Sequence, residues 1–257
     1  MPIRFGPAGL GPAKTALVVL EDYHKKGFKA CEIAFTYSNY IKPEETRPIK
    51  DKAKELDIEL TIHGSYFINL NASDKKKLEA SKKRVLDSCK IGELLGVKTL
   101  VFHPGFYGKN KEEAYKNIKS AVQEIQKEIK KNNWKITIAP ETMGKVNVFG
   151  SVEEIHDLVK ETGCNFCIDF AHILARDKSV NYKKIESLFP QKDWHIHFSG
   201  IIYGEKGEKR HRETKKEEWQ TLLKNLPKNK NIRIVNESPT MVEDSLEGLK
   251  IYSSLSR

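Results

Sequence analysis

The sequence predicts one α/β domain, built as a barrel of eight parallel strands with a helix after each strand. Short apolar runs alternate with longer amphipathic segments along all 257 residues, the pattern of repeated strand–helix units in a parallel sheet. Eight such pairs can be counted, and no linker, low-complexity tract or sequence repeat interrupts them. A closed (β/α)8 barrel, which needs about 250 residues, fits this count, and an open doubly wound sheet is the alternative. We therefore expect a single barrel domain over residues 1–257.

The predicted strands are short runs rich in Ile, Val, Phe and Thr, as strands of a buried parallel sheet are. In chain order they are IRF (3–5), ACEIAF (30–35), ELTIH (59–63), KTLVFH (98–103), KITIAPE (135–141), FCID (166–169), WHIHF (194–198) and IRIVNE (232–237).

The predicted helices lie between these strands and carry apolar residues at intervals of three and four. They cover residues 13–26, 43–55, 74–95, 111–132, 151–162, 180–188, 214–225 and 242–254. Ser73 and Ser151 are the predicted N-caps of the third and fifth helices, and Glu154 stands where it would complete a capping box with Ser151.

The N-terminal stretch MPIRFGPAGLG lacks the basic and apolar regions of a signal peptide, and the sequence contains no run of about 18 apolar residues. We expect a cytoplasmic protein with no membrane segment. Of the four cysteines only Cys164 and Cys167 form a C-x-x-C pair, and that pair runs into a predicted strand. A structural zinc site would need a second pair, so we expect the cysteines to have a packing role.

The formal net charge of +10 comes mostly from lysine. Such a charge favours a polyanionic partner such as nucleic acid, because binding releases counterions. A surface rich in both Lys and Glu is also typical of the ion-pair networks of thermophilic proteins. Charge alone leaves both interpretations open.

The predicted strands three to eight each carry, at or next to their C-terminal end, a residue that can bind a divalent cation. These residues are His63, His103, Glu141, Asp169, His197 and Glu237. The C-terminal strand ends of such a barrel converge on one mouth, where catalytic groups lie. Three carboxylates and several imidazoles provide ligands for more than one ion.

The stretch FCIDFAH (166–172) shows why a cation is expected. A carboxylate at the end of an apolar run is costly to bury unpaired, so Asp169, with His172 three residues later, is predicted to face a metal ion. His24 and His156 fall on predicted helices and are interpreted as surface residues. His195 shares the strand parity of His197 but lies one layer deeper, which favours a role in packing or in supporting the ligands.

These strand ends resemble the endonuclease IV family of apurinic/apyrimidinic (AP) endonucleases, within the xylose-isomerase-like TIM barrels. The resemblance covers nearly the whole chain and rests on HGSYFINL (63–70), FHPGFYG (102–108), APETMGKVNVFG (139–150), CIDFAH (167–172), HFSG (197–200) and NES (236–238). It implies a zinc-dependent enzyme of base excision repair that hydrolyses the phosphodiester 5′ to an abasic site in double-stranded DNA. The products would be a 3′-hydroxyl and a 5′ deoxyribose phosphate.

The resemblance also implies a trinuclear zinc cluster in which Glu141 is the central catalytic residue. The ligand sets would be His63, His103 and Glu141; Glu141 again with Asp169, His197 and Glu237; and His172 with His211. Water activated by the metal ions would attack phosphorus, so no protein nucleophile is required.

DNA contacts are implied for two groups of residues. Tyr66 and Phe67 resemble the pair that the family wedges into the base stack, and Asn69 belongs to the same stretch. Phosphate contacts are expected from the basic cluster Lys206, Lys209, Arg210 and Arg212.

The chain departs from the family in the loops after the first two strands. GPAGLG carries no histidine where the family usually has one, and FTYSNYI offers Tyr37 and Tyr40 but not the arginine that the family inserts into DNA.

A third departure concerns the third metal. Where the family reads Asp-Arg-His, this chain reads Lys209, Arg210, His211. A protonated lysine cannot bind a metal, and zinc sites hold three or four protein ligands. We therefore expect two tightly bound zinc ions and a third that is weak, absent or completed by substrate phosphate. Glu208 is the candidate substitute ligand.

Two other functions stay open. A metal-dependent sugar isomerase or epimerase on the same scaffold would use Glu141 and Glu237 as acid and base, and would need a closed small-molecule pocket rather than the positive charge. A DNA-binding barrel with little turnover is the second. We expect a monomer.

Overall fold

The computed structural model describes residues 3–255, and the eight predicted strands form a barrel within them. The strands are β1 Arg4–Pro7, β2 Ala30–Ala34, β3 Glu59–His63, β4 Thr99–Phe102, β5 Thr137–Pro140, β6 Cys167–Asp169, β7 Asp193–Phe198, β8 Gly200–Gly204, β9 Gly207–Arg212 and β10 Asn231–Asn236. Strands β1 to β7 and β10 are the predicted ones. Strands β8 and β9 form an antiparallel hairpin beside the barrel, which the sequence did not predict.

The parallel strands pair in two runs, β1-β10-β7-β6 and β2-β3-β4-β5. The runs meet at a parallel bridge between Glu141 and Cys167. At the other seam β1 lies against β2, where the Lys29 amide donates to the Phe5 carbonyl at 3.0 Å. A Cβ added at Gly6 would lie 1.7 Å from the Ala30 carbonyl oxygen, so only glycine permits this approach. The closed barrel is confirmed, and the open sheet is wrong.

The helices surround the barrel. They are α1 Ala16–Lys25, preceded by a 3-10 turn at Ala13–Thr15, and then α2 Pro43–Glu55, α3 Lys75–Leu95, α4 Lys111–Lys131, α5 Val152–Thr162, α6 Phe170–Asp177, α7 Tyr182–Leu188, α8 Lys216–Asn225 and α9 Met241–Leu255. The eight predicted helices are present, with their ends close to the predicted ones. Helix α6 was not predicted, because it begins directly at the end of β6 without a loop.

One predicted helix cap is confirmed and one is wrong. The Ser151 hydroxyl accepts from the Glu154 amide at 3.2 Å, and the Glu154 carboxylate accepts from the Ser151 amide at 2.8 Å. Helix α3, by contrast, is capped by Asp74 and not by Ser73: the Asp74 carboxylate accepts from the Lys77 amide at 2.9 Å. Both residue types cap well, and here the carboxylate one position later occupies the N-cap.

The apolar core lies between the barrel and its helices and includes the fully buried rings of Phe5, Phe28, Phe166 and Trp219. All four cysteines are buried and free, in agreement with the expected packing role. Among residues 3–255, no helix has both the length and the apolar character needed to cross a membrane.

Candidate metal centre at the barrel mouth

The eight residues predicted as metal ligands converge at the C-terminal mouth of the barrel. Their ligand atoms form four overlapping sets, each within 4.8 Å: His63, His103 and Glu141; Glu141, Asp169, His197 and Glu237; Asp169, His172 and His211; and His63, His197 and Glu237. Two sets share Glu141 and two share Asp169. The structure thus brings the predicted residues together, while their roles stay predictions.

Glu141, at the end of β5, is fully buried at the centre of the cluster. Its Oε2 lies 3.2 Å from His63 Nε2 and 3.0 Å from His103 Nε2, and its Oε1 lies 3.1 Å from His197 Nδ1. Burial alone would raise the pKa of Glu141, but the charge of His197 and the surrounding imidazole hydrogen bonds hold that pKa well below its ordinary value. The carboxylate is therefore ionised and faces both sets.

Asp169 tests whether a cation fits the site. The side chain is fully buried, and its Oδ1 caps α6 by accepting from the His172 amide at 2.7 Å. Its Oδ2 is buried without a hydrogen-bond partner, and burial raises the pKa of this acid. An orphaned carboxylate oxygen beside Glu141 and Glu237 is costly in an apolar interior. A divalent cation would supply the missing partner and charge, so the residues present fit a metal.

Three of the histidines are oriented by backbone carbonyl groups. The Nδ1 atoms of His63, His172 and His211 lie 2.8 Å from the Gly64 carbonyl, 3.0 Å from the Thr142 carbonyl and 3.2 Å from the Glu237 carbonyl. A carbonyl only accepts, so each Nδ1 donates. In the neutral imidazole this leaves the Nε2 lone pair for a ligand, as is typical of metal-binding histidines.

The β8–β9 hairpin positions one of its side chains beside His172 and His211. The Nε2 atoms of these two histidines are 3.2 Å apart. Glu208 Oε2 lies 3.5 Å from His172 Nε2, and Glu208 Oε1 lies 3.9 Å from His211 Nε2. Lys209, in contrast, is exposed and its side chain lies over Gly204. Glu208, and not Lys209, therefore lies at the predicted third metal position.

A β-bulge explains this placement. Ile202 pairs with Arg210 and Tyr203 with Glu208, so Lys209 has no partner across the hairpin. Successive side chains of a regular strand alternate between two faces, and residues 208 and 211 would then face opposite ways. One extra residue reverses the alternation. The bulge at Lys209 therefore directs Glu208 and His211 to the same side.

The hairpin is fixed to the loop that follows β5. The Glu208 amide donates to the Gly144 carbonyl at 3.0 Å, and Gly207 forms an antiparallel bridge with Lys145. Gly207 has φ +88°, and a Cβ there would lie 2.1 Å from the Gly144 carbonyl oxygen. The hairpin needs glycine at this position, since any side chain would separate it from the loop.

The residues predicted to contact DNA lie around the mouth. Tyr66 and Phe67 are 60% and 56% exposed, and the Tyr37 ring is 6.2 Å from that of Phe67. Asn69 is engaged within the loops, because its Oδ1 accepts from the Asn71 amide at 3.1 Å and from the Phe106 amide at 3.4 Å.

The predicted basic cluster divides into two parts. Lys206, Lys209 and Arg210 are exposed on the hairpin. Arg212 forms a two-point ion pair with Glu218, at 2.9 Å and 2.5 Å. A guanidinium engaged in this way has fewer donors free for phosphate. Contact with DNA stays a prediction for all of these residues.

Glu32 is a residue of the site that sequence reasoning missed. It lies on β2, fully buried, and its Oε1 is 2.9 Å from His197 Nε2. Its Oε2 is 2.9 Å from Thr61 Oγ1 and 3.0 Å from His195 Nε2. Burial alone would raise the pKa of Glu32, but the charge of His197 and the two imidazole hydrogen bonds hold that pKa well below its ordinary value. The signal was available: an acid in the middle of the apolar strand ACEIAF requires a buried partner.

The sequence matches a known protein family over most of its length. Residues 20–252 match the model for xylose isomerase-like TIM barrels. An uncharacterised protein of Methanocaldococcus jannaschii is 34% identical over 98% of this chain and 97% of its own length. The Endonuclease 4 homolog of Dictyostelium discoideum is 26% identical over 62% of this chain, and the match spans only 31% of that protein.

Solved structures with a similar fold include a nuclease and an epimerase-like protein. Endonuclease IV from Thermus thermophilus has a TM-score of 0.70 at 19% identity, covering 99% of this chain and 98% of its own. A D-tagatose 3-epimerase-like protein has a TM-score of 0.76 at 18% identity, covering 99% of this chain and 100% of its own. At these identities the likeness concerns the fold alone.

Proposed function

Since the chain belongs to the xylose isomerase-like TIM barrel family, we propose that it is a zinc-dependent AP endonuclease that hydrolyses the phosphodiester 5′ to an abasic site in double-stranded DNA. The observation that carries this proposal is the position of Glu141 between His63 and His103 on one side and His197 on the other. The relative named Endonuclease 4 homolog supports it, although the match covers about a third of that protein. A cytoplasmic location and a monomeric state stay predictions.

Three groups of residues would hold the metal ions. They are His63, His103 and Glu141; Glu141, Asp169, His197 and Glu237; and His172, His211 and Glu208. When bound, divalent cations at such a site act as Lewis acids, lowering the pKa of water and neutralising charge on a phosphate. Glu208 would replace the aspartate of the family at the third position, which revises the expectation of only two tightly bound ions.

In this proposal the carboxylates of the site balance the charge of the metal ions. Glu141 and Asp169 are fully buried and would balance the positive charge of the cluster, so that the mouth remains attractive to cations. The surrounding histidines hold the pKa of Glu237 at about 2, although its burial opposes this. Glu141 and Glu237 therefore stay ionised at neutral pH and available as ligands, whereas burial raises the pKa of Asp169.

Binding of DNA would use the rim of the mouth. The Tyr66 ring stands 6.2 Å from the His63 ring and 5.7 Å from the His103 ring, directly beside the proposed first zinc site. Phe67 with Tyr37 presents exposed aromatic surface suited to unstacked bases. Lys206 and Arg210 on the hairpin would bind phosphate oxygens.

A sugar isomerase or epimerase is the second candidate, because the set of Glu141, Asp169, His197 and Glu237 would serve that chemistry as well. The mouth contains a cavity of about 640 Å³, within the range of small-molecule sites. The exposed aromatic side chains around the mouth favour DNA over a sugar as the substrate. Epimerisation of ketohexoses with added divalent metal tests this candidate directly.

The test of the proposal is incision of a labelled duplex that carries one abasic site. We expect cleavage on the 5′ side that leaves a 3′-hydroxyl, loss of cleavage after chelation and recovery with zinc. The same duplex without the abasic site is the control substrate. Ketohexose epimerisation without incision would refute the nuclease proposal.

A further inference from the structure

His197 differs from His63, His172 and His211 in how its ring is held. His63, His172 and His211 each donate Nδ1–H to a backbone carbonyl. His197 has no such carbonyl partner at Nδ1, which faces Glu141 Oε1 at 3.1 Å and Glu237 Oε2 at 3.4 Å. Its other nitrogen, Nε2, points down into the barrel toward Glu32. The orientation of this ligand therefore depends on buried side chains.

The side chains beneath His197 form a continuous chain across the barrel interior. Arg233 Nη1 lies 3.0 Å from His195 Nδ1, and its Nη2 pairs with Glu59. His195 Nε2 lies 3.0 Å from Glu32 Oε2. Glu32 Oε1 lies 2.9 Å from His197 Nε2. This series of side-chain contacts leads from the floor of the barrel to the metal centre.

If His197 Nδ1 is the nitrogen that would bind the metal, the hydrogen of that ring is on Nε2, and the neighbouring groups then permit one arrangement of hydrogens. A guanidinium only donates, so His195 Nδ1 must accept from Arg233 and His195 carries its hydrogen on Nε2. That hydrogen and the Thr61 hydroxyl are both directed at Glu32 Oε2. Glu32 Oε1 lies 2.9 Å from His197 Nε2 and, having no other hydrogen-bond partner, is the acceptor available to a hydrogen on that nitrogen. The two Nε2 atoms are 3.2 Å apart, within hydrogen-bond distance, but when both carry hydrogen neither can accept from the other, and Glu32 is the acceptor that both can reach.

We propose that Glu32, with its acceptor geometry set by Arg233 through His195, is a positioning residue that holds His197 with Nε2 protonated and the Nδ1 lone pair facing the metal centre. The proposal rests on the proposed metal centre but not on DNA as substrate. Carboxylates that orient metal-bound histidines in this way raise the affinity for the metal. Glu32 itself contacts neither metal nor substrate.

The same geometry argues against a second, deeper metal site. The ligand atoms of Cys167, His195 and His197 lie within 4.8 Å of one another and could be taken for such a site. A metal on His195 Nε2 would force the hydrogen onto Nδ1, which would then oppose the Arg233 donor at 3.0 Å. His195 is therefore assigned as a donor to Glu32.

The first test is the tautomeric state of both histidines, measured by long-range ¹H–¹⁵N NMR on the zinc-loaded protein labelled at histidine. We expect hydrogen on Nε2 in both rings, with His195 Nδ1 unprotonated. This readout needs no variant and no DNA, so it is separate from the nuclease proposal. A hydrogen on Nδ1 of either ring would overturn the positioning role.

The second test is zinc affinity by chelator competition. Glu32→Gln, which is isosteric but replaces one acceptor oxygen by a donor, should lower the affinity roughly 10- to 100-fold. Thr61→Val is the matched control, because it removes a hydrogen bond from the same carboxylate without changing the acceptor for His197, and we expect a smaller loss. Wild-type affinity in Glu32→Gln, or equal losses in both variants, would overturn the proposal.

The third test addresses the deeper site. Cys167→Ser should leave the number of bound zinc equivalents unchanged. A loss of one equivalent would show that Cys167, His195 and His197 hold a metal, and the assignment of His195 as a donor to Glu32 would be wrong.

Discussion

Raising the pH from 6.5 to 9 should destabilise the metal-free protein, because His63 is protonated in the folded state over this range. Burial would lower the pKa of His63, but its hydrogen bond to Glu141 and the nearby carboxylate charges raise the pKa from 6.5 to about 9. A group whose pKa is higher in the folded state stabilises the fold fully below the unfolded pKa. That contribution is lost as the pH rises through the folded pKa.

The magnitude follows from the two pKa values. One pKa unit corresponds to about 1.36 kcal/mol, so the contribution of His63 lost between pH 6.5 and pH 9 is on the order of 3 kcal/mol. The pKa values of His172 and His197 also lie well above the ordinary value, although their burial opposes this, and both would add to the loss with the same sign. The His63 share is isolated by comparing wild type with His63→Gln.

The assay is urea denaturation of chelator-treated protein across this pH range. The free energy of unfolding should fall with pH more steeply for wild type than for His63→Gln, while His24→Gln, at an exposed position, should follow wild type. Added zinc should reverse the trend, because zinc binds only the neutral imidazole and its stabilising increment grows with pH. Parallel pH profiles for wild type and His63→Gln would refute the reasoning.

Three further predictions concern the hairpin and the rim. Glu208→Ala should lower the zinc content after dialysis by close to one equivalent, since Glu208 faces His172 and His211, and Lys209→Asp should leave the zinc content unchanged. An unchanged zinc content in Glu208→Ala together with a higher one in Lys209→Asp would restore the expectation of two tightly bound ions. Phe67→Ala should weaken binding to abasic duplex more than to intact duplex, because an exposed ring can fill the gap in the base stack. Equal losses of affinity for the two duplexes would show that Phe67 does not act as a wedge. Arg210→Ala should weaken binding to both duplexes and reduce by about 1 the slope of the logarithm of the binding constant against the logarithm of the salt concentration. An unchanged slope would show that Arg210 does not contact phosphate.

The barrel and the strand-end ligands could be predicted because both depend on local pattern. Apolar runs separated by amphipathic segments define the strands and helices, and the convergence of strand ends is a property of the closed barrel. Glu141 and Asp169 could thus be assigned to one mouth from their places at the ends of β5 and β6.

The hairpin could not be predicted from the same pattern. Residues 200–212, GIIYGEKGEKRHR, carry charges on both faces of β9, so no alternation indicates a strand. The bulge at Lys209 depends on the pairing between β8 and β9, which a one-dimensional pattern does not contain. The sequence motif therefore placed Lys209 at the position of the family's aspartate and left Glu208 as a candidate substitute, whereas in the structure Glu208 lies beside His172 and His211.

Glu32 was missed for a different reason. Its partners His195 and His197 lie on β7, far along the chain, and their proximity to β2 follows only from barrel closure. A buried acid in a strand indicates that a partner exists, but sequence does not identify the partner. The role of His195 as support for a ligand, which was one of two interpretations of its position, agrees with this contact.

Glu141→Gln provides the most direct test of the central claim, with the rate of incision of a duplex carrying one abasic site as the measurement. The substitution keeps the shape of the side chain but removes the charge that faces two groups of histidines, so the rate should fall by several orders of magnitude while folding and DNA binding persist. Glu113→Gln, at an exposed position on α4, should cleave at the wild-type rate. Wild-type incision by Glu141→Gln would contradict the account.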